Sequence, residues 1–238
     1  MATVRSRQIN GAIAWWEGHR KRIVDAIGSD VVKYVDDFVV GGVDASWDNR
    51  WTVTRVETGG GESTITSGDT GNGTMLLTTD AAENDGLNCQ LLGESFKLVA
   101  GVPLYFGARV QTLSDATQSD LFLGLAITDT DILGGVTDAI GFRKVDGSAD
   151  LTFVLTKNSV TTTAAGLATL AAATAYVLEF YWDGNIQIFV NGASVSVPAI
   201  TNLPDDEELR VSVQFLTGEA VAKTCAIDWM RVFKFGRQ

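Results

Sequence analysis

AYVLEFYWDGNIQIFVNGASVSV, residues 175–197, is the stretch whose reading decides the fold. Tyr176, Leu178, Phe180 and Trp182 alternate with Val177, Glu179 and Tyr181, the two-residue period of a strand with two distinct faces. Asp183-Gly184 then reverses the chain into IQIFV. Asn191-Gly192 reverses it again into ASVSV, and such dipeptides supply the positive φ that two-residue hairpin turns require. The segment therefore reads as three consecutive antiparallel strands.

The same pattern extends outward in both directions. VDDFVVGG, RWTVTRV, STITSG, TMLLTT, LNCQLLG, PLYFGARVQTL, LFLGLAITD, AIGFRKV, LTFVLTK, SVTTTAA, LRVSVQFL and CAIDWMRVFKF are short β-branched or aromatic runs bounded by Gly, Asp, Asn or Pro. TAAGLATLAAATA is rich in alanine, yet SVTTT before it and AYVLEFYW after it are strand sequences, so part strand and part loop is expected there. A dozen or more strands with almost no helix between them predict an all-β sandwich or barrel. No repeat of fixed period supports a propeller or solenoid.

The first 34 residues read differently. Residues 1–33 hold six cations (Arg5, Arg7, Arg20, Lys21, Arg22, Lys33) against three anions (Glu17, Asp25, Asp30), whereas the whole chain has 18 Lys and Arg against 29 Asp and Glu, a net charge of −11. A basic arm, 1–34, thus precedes an acidic body, 35–238. Ile9, Ile13, Trp16, Ile23 and Ile27 recur at helical spacing, with Asn10 placed to cap the start and Gly28 to close the end. A short helix near 12–27 is predicted. Gly11 and Gly18 weigh against it, and a helix of that length must pack its apolar stripe on the body, on a sister chain or on another protein.

Composition narrows the function classes. With 238 residues, 45% of them hydrophobic and 20% charged, the chain can bury a substantial core. It shows neither a secretory leader nor an apolar run of membrane-spanning length, so a soluble, unprocessed protein is expected. Its acidity disfavours a general nucleic-acid partner. One histidine, His19 in HRKR, and two cysteines, Cys89 and Cys225, leave no histidine–cysteine zinc cluster to build. No GxSxG elbow presents a serine nucleophile, so His19 reads as a solvated or interface residue. The cysteines lie in apolar strands and read as small hydrophobes, with a disulfide as the alternative.

PLYFGARV, LFLGLAITDTD, AIGFRKVDGSADLTFVL, YVLEFYWDGNIQIFVNG and CAIDWMRVF, in this order, resemble the concanavalin A-like jelly roll of legume lectins, laminin-G modules and laminarinase-type glucanases. The resemblance implies a two-sheet antiparallel sandwich and no particular activity. Together with the arm, ITDTDILGGVTDAIGFRKVDGS resembles proteins encoded beside the major capsid protein of tailed bacteriophages. That resemblance, over residues 35–238, implies a head decoration or cement protein. It would lie on the outer capsid of the virion after synthesis in the host cytoplasm, bind the major capsid protein, and form a trimer. Trp15 and Trp16 would be its apolar plugs and Arg20, Lys21 and Arg22 its cationic contacts. Removing residues 1–33 would leave a folded body that no longer binds heads.

The other readings are weaker on residues alone. Glucanases of this fold resemble enzymes by an E-x-D-x-x-E strand, whose alternation puts the carboxylates on one face; the motif does not occur, so no enzyme is expected. Of the acidic clusters at Asp36-Asp37, 128–131 and 205–208, the last two lie in turn-like surroundings, and 205–208 reads as a solvated loop. No cofactor is expected, although Asp80, Glu83, Asn84 and Asp85, or Asp129 and Asp131, offer the oxygen-rich loops a calcium ion takes, against the simpler reading as ordinary turns. A carbohydrate-binding or host-adsorption module is the alternative function, with Trp47 and Trp51 in SWDNRW as stacking residues, against their use in the core. Trp182 and Trp229 are expected to be buried.

Overall fold

The computed structural model describes residues 3–40, 42, 47, 49–68 and 73–237; Ser46 and Asp48 of SWDNRW and Gly41 of VDDFVVGG lie outside them. The described chain is almost entirely β. A seven-stranded antiparallel sheet runs in the order β13 (Val160–Thr169), β12 (Asp150–Lys157), β11 (Ala139–Lys144), β10 (Ser119–Ala126), β17 (Arg210–Thr217), β8 (Gly86–Leu91), β5 (Trp51–Val56). Opposite it lies an eight-stranded sheet: β16 (Ala193–Ser196), β15 (Ile186–Val190), β14 (Tyr176–Trp182), β9 (Leu104–Leu113), β18 (Thr224–Phe235), β7 (Met75–Thr78) and β6 (Thr64–Ser67), with β4 (Val31–Asp36) also paired to β18. The twelve residues of β18 allow this, because Thr224–Ile227 pairs β7 and Met230–Phe235 pairs β4. This is the two-sheet sandwich of a jelly roll.

Alternation fills the space between the sheets. Leu121, Leu123 and Leu125 of β10, Ile140 and Phe142 of β11, and Val211, Val213 and Phe215 of β17 face Phe106, Ala108 and Val110 of β9 and Leu178 and Phe180 of β14 in one continuous core. Phe106 stacks on Phe180 at 5.2 Å, and Phe153 meets Phe180 edge-on at 5.3 Å. Apolar area removed from water on this scale is the dominant stabilising term. Cys89 and Cys225 sit on opposite sheets of that core as free thiols, each pushed up to about 12 by burial. The chain reverses as expected, through the three residues 183–185 and the two residues 191–192, with Asn191 at φ 51° and Gly192 at φ 81°. The alanine-rich stretch divides between β13 and a turn. No helix among the described residues is long and apolar enough to cross a membrane.

The N-terminal helix is not formed. Residues of the arm make a three-stranded antiparallel sheet, β1 (Arg5–Ile9), β2 (Ala12–Trp16) and β3 (Ile23–Ile27). Asn10 and Gly11, at φ 46° and 82°, are the two turn residues of a hairpin; Asn10 caps no helix. In β2, Ala12, Ala14 and Trp16 are buried while Ile13 is exposed, a period of two that the regularly spaced isoleucines concealed. The sheet packs through Ile9, Ala14, Trp16, Ile23 and Ala26 onto Tyr105, Tyr181, Phe189, Phe233 and Phe235, the outer face of the eight-stranded sheet.

Candidate functional site

Two surfaces carry polar groups that the core does not account for. The first is the seam under the N-terminal sheet. Glu179 of β14 is fully buried there and accepts from Arg22 Nε at 2.8 Å, Arg22 Nη2 at 2.6 Å and the Tyr105 hydroxyl at 2.9 Å, with His19 Nε2 at 3.4 Å. Burial raises the proton affinity of Glu179, but the Arg22 and His19 hydrogen bonds outweigh it and hold the carboxyl below its ordinary range. His19 also stacks on Phe189 at 4.0 Å. Lys21 reaches Asp183 at 3.0 Å and lies over the Tyr181 ring. Arg5 lies over Trp16, which is buried, and Trp15 is half-buried. Of the five residues expected to grip a partner, Trp16, Lys21 and Arg22 are thus engaged within the chain, and Arg20 is exposed.

The second surface is the outer face of the seven-stranded sheet. Its central strands present Asp120, Phe122, Gly124 and Ala126 from β10, Ala139, Gly141 and Arg143 from β11, Ser212 and Gln214 from β17, and Asn88 and Gln90 from β8, opposite in pleat to the core residues. The segment 127–138, with the one-turn helix α1 (Ile132–Gly135), crosses this face. Asn88 Nδ2 donates to the Asp129 carbonyl at 2.7 Å and Gln90 Nε2 to the Ile127 carbonyl at 2.9 Å. Gln214 both donates to Asp131 at 2.7 Å and accepts from Leu133 N at 2.7 Å. Ile132 and Val136 then cover Phe122, Ala126, Ala139 and Val154 in a separate apolar cluster.

This crossing leaves two hollows that share Arg143. A smaller one of about 120 Å³ is lined by Phe122, Val136, Val154, Thr156 and Thr161. The larger, about 280 Å³, is lined by Thr58, Asn84, Asp120, Asp131, Arg143 and Asp146. Burial, reinforced by the Asp146 charge, raises the Asp120 carboxyl above its ordinary value, while the Asp146 backbone N–H donates to it at 3.0 Å. Arg143 Nε is buried with no hydrogen-bond partner among the described residues. Concave space, convergent polar groups and one carboxyl of perturbed proton affinity mark this as the candidate site.

Asp120, Arg143 and Asp146 were not singled out from the sequence; Asp131 was, but as a calcium candidate. The available signal was a lone acid at the head of the apolar run LFLGLAITD and an arginine alternating with Ala139 and Gly141. Trp47 and Trp51, expected to stack on sugar, belong to the core at 2% and 7% exposure. Trp182 is buried; Trp229 is half-buried beneath Arg231. Asp129 and Asp131 serve the crossing segment through Asp131 N to Asp129 Oδ1 at 2.9 Å and Gly134 N to Asp131 Oδ1 at 3.0 Å.

No protein-family model and no curated protein matches this sequence. Solved structures do match. An endo-1,3-beta-glucanase from Streptomyces sioyaensis superposes with a TM-score of 0.61 at 12% identity, over 90% of this chain and 100% of that one. LamAcat from Zobellia galactanivorans gives 0.59 at 11% identity, over 86% and 98%. A protein of unknown function from Shewanella oneidensis MR-1 gives 0.58 at 12%, over 88% and 89%. These likenesses establish the fold, that of the glycoside hydrolase family 16 and concanavalin A-like jelly rolls. They correct two expectations. The neighbours are mainly glucanases, none of those named is a capsid protein, and the arm meant to grip a capsid is docked on its own body, so the head-decoration reading is withdrawn. The expectation of no enzymatic activity is withdrawn on the same neighbours.

Proposed function

We propose that the outer face of the seven-stranded sheet binds a glycan, with the 280 Å³ hollow holding one end of it. The observation carrying this is the grouping of Asp120, Asp131, Asp146, Asn84 and Thr58 around Arg143. Carboxylates and amides placed in this way accept and donate to vicinal sugar hydroxyls. The glucanases among the structural neighbours support the choice of ligand class. Calorimetric titration of the full chain with laminari- and mixed-linkage gluco-oligosaccharides is expected to show saturable binding. Arg143→Ala should weaken it about tenfold or more, on the scale of a lost charged hydrogen bond. Saturable binding that Arg143→Ala and Asp146→Asn leave unchanged would place the ligand elsewhere.

A second reading, glycoside hydrolysis at the same place, is favoured by the raised proton affinity of Asp120 next to Asp146. A carboxyl whose burial favours its protonated form can protonate a leaving glycosidic oxygen, with a second carboxylate as base or nucleophile. The arrangement differs from the glutamate–aspartate strand sought in the sequence, since the outward positions of β11 are Ala139, Gly141 and Arg143. Reducing-end release from β-glucans is the assay. Activity lost in Asp120→Asn with binding retained supports hydrolysis; equal activity in the variant sinks it.

A further inference from the structure

The smaller hollow differs in chemistry from the larger one beside it. Leu133 and Arg143 line both, so the two share a wall. The larger hollow carries Asp120, Asp131 and Asp146, whereas Arg143 is the one charged side chain among the described residues that line the smaller. The pairing of the strands explains the space. Phe122 stands opposite Arg143, and Ala126 opposite Ala139 and then Thr156; the rung between them has Gly124 opposite Gly141 and carries no side chain until Val154 of β12. The segment bearing α1 lies across these small residues through Ile132 and Val136.

Two donors at the smaller hollow lack acceptors. Arg143 Nε is buried with no hydrogen-bond partner among the described residues. Thr156 Oγ1 and Thr161 Oγ1 lie 2.9 Å apart, a contact that uses one of their two hydroxyl hydrogens and leaves the other for an acceptor from outside. Ser159 and Thr161 are exposed, so the hollow is open on that side. Its occupant must be small, because a cavity of about 150 Å³ holds benzene and this one, of about 120 Å³, is too small for a hydroxylated sugar ring. It must be apolar in part, to cover Phe122, Val136 and Val154, and must bring an acceptor to Arg143. That acceptor is neutral, since the three carboxylates of the larger hollow already outnumber the guanidinium and would repel an added anion. An acetyl group meets all three conditions. Carried as an acetamide, it also brings an N–H for which the carboxylates of the larger hollow are acceptors.

We infer that the smaller hollow takes the acetyl group of an acetamido sugar whose ring lies in the larger hollow, so that the glycans held best on this face are N-acetylated. The inference rests on the glycan reading of that face. Tri-N-acetylchitotriose and cellotriose share their linkage and differ only in carrying an acetamido or a hydroxyl group at C2. Calorimetric titration of the full chain is expected to show the acetylated trisaccharide binding about tenfold tighter or more, on the scale of one buried methyl and one hydrogen bond. Thr161→Phe puts a bulky side chain at the open side of the smaller hollow, at an exposed strand position where an aromatic residue is well tolerated. With unchanged circular dichroism, it is expected to bring the ratio of the two affinities to about one. Gluco-oligosaccharide binding with no preference for the acetylated ligand overturns the acetyl pocket and leaves the glycan reading standing; no binding of either class overturns both. A preference that persists in a folded Thr161→Phe chain also overturns the pocket, and the comparison of ligands on the wild-type chain holds whether or not that variant folds.

Discussion

Arg22 and Glu179 show how a single pair can commit a segment of chain. Glu179 is buried on a strand with apolar neighbours, where the Tyr105 hydroxyl is a neutral donor and the bidentate Arg22 guanidinium supplies the compensating charge. Arg22→Ala should therefore cost about 3–5 kcal/mol in chemical denaturation, because it strands a buried charge. Pairing it with Glu179→Gln should recover most of that loss. Because the Glu179 carboxyl is depressed in the folded protein, its contribution is present above the ordinary glutamate range and is lost as pH falls through the depressed value. Acid titration followed by Tyr and Trp emission should show loosening on that descent, and the double variant should lack it. Asp120 has the opposite sign: its raised proton affinity makes ionisation a burden near neutrality, so Asp120→Asn should raise Tm at pH 7 and change little at pH 3. A gain in stability coupled to a loss of site function is the usual mark of a functional group held under strain.

At the scale of elements, the N-terminal sheet is a third layer on the sandwich, and its apolar debt falls on both partners. Without β1–β3, Tyr105, Tyr181, Phe189, Phe233 and Phe235 face water and Glu179 loses Arg22. Deletion of residues 1–30 should therefore lower Tm by more than about 10 °C and expose dye-binding surface, in contrast to the independent body expected from sequence. The reading of this segment failed for a definite reason. Isoleucines at 9, 13, 23 and 27 satisfy helical spacing, but Asn10-Gly11 is a hairpin dipeptide, and local turn chemistry combined with an available apolar sheet face overrides periodicity in so short a segment. The opposite case is 175–197, where both dipeptides and the alternation agree and three strands form where they were expected.

At the scale of the molecule, the two sheets share one core, so the sandwich should unfold as a unit. Cys89 and Cys225 report on its two sides, both fully buried and both pushed up to about 12. Neither should react with a thiol reagent at pH 8 in the native state, and both should label together over the same urea range in which far-ultraviolet circular dichroism is lost. Labelling of one at lower denaturant would show that the sheets separate before they unfold.

Residue patterning alone determined that this chain is an all-β sandwich or barrel, because alternation and turn dipeptides are local and each strand carries its own two faces; the resemblance to the jelly roll pointed to the sandwich. Tertiary structure decided the rest. Asp120, Arg143 and Asp146 meet only because β10, β11 and the turn after β11 are neighbours in one sheet. Which face of the sheet remains open depends on whether segment 127–138 crosses it, and that is settled by long-range hydrogen bonds from Asn88, Gln90 and Gln214. Proximity between residues far apart in the chain is a property of packing, and no local pattern encodes it.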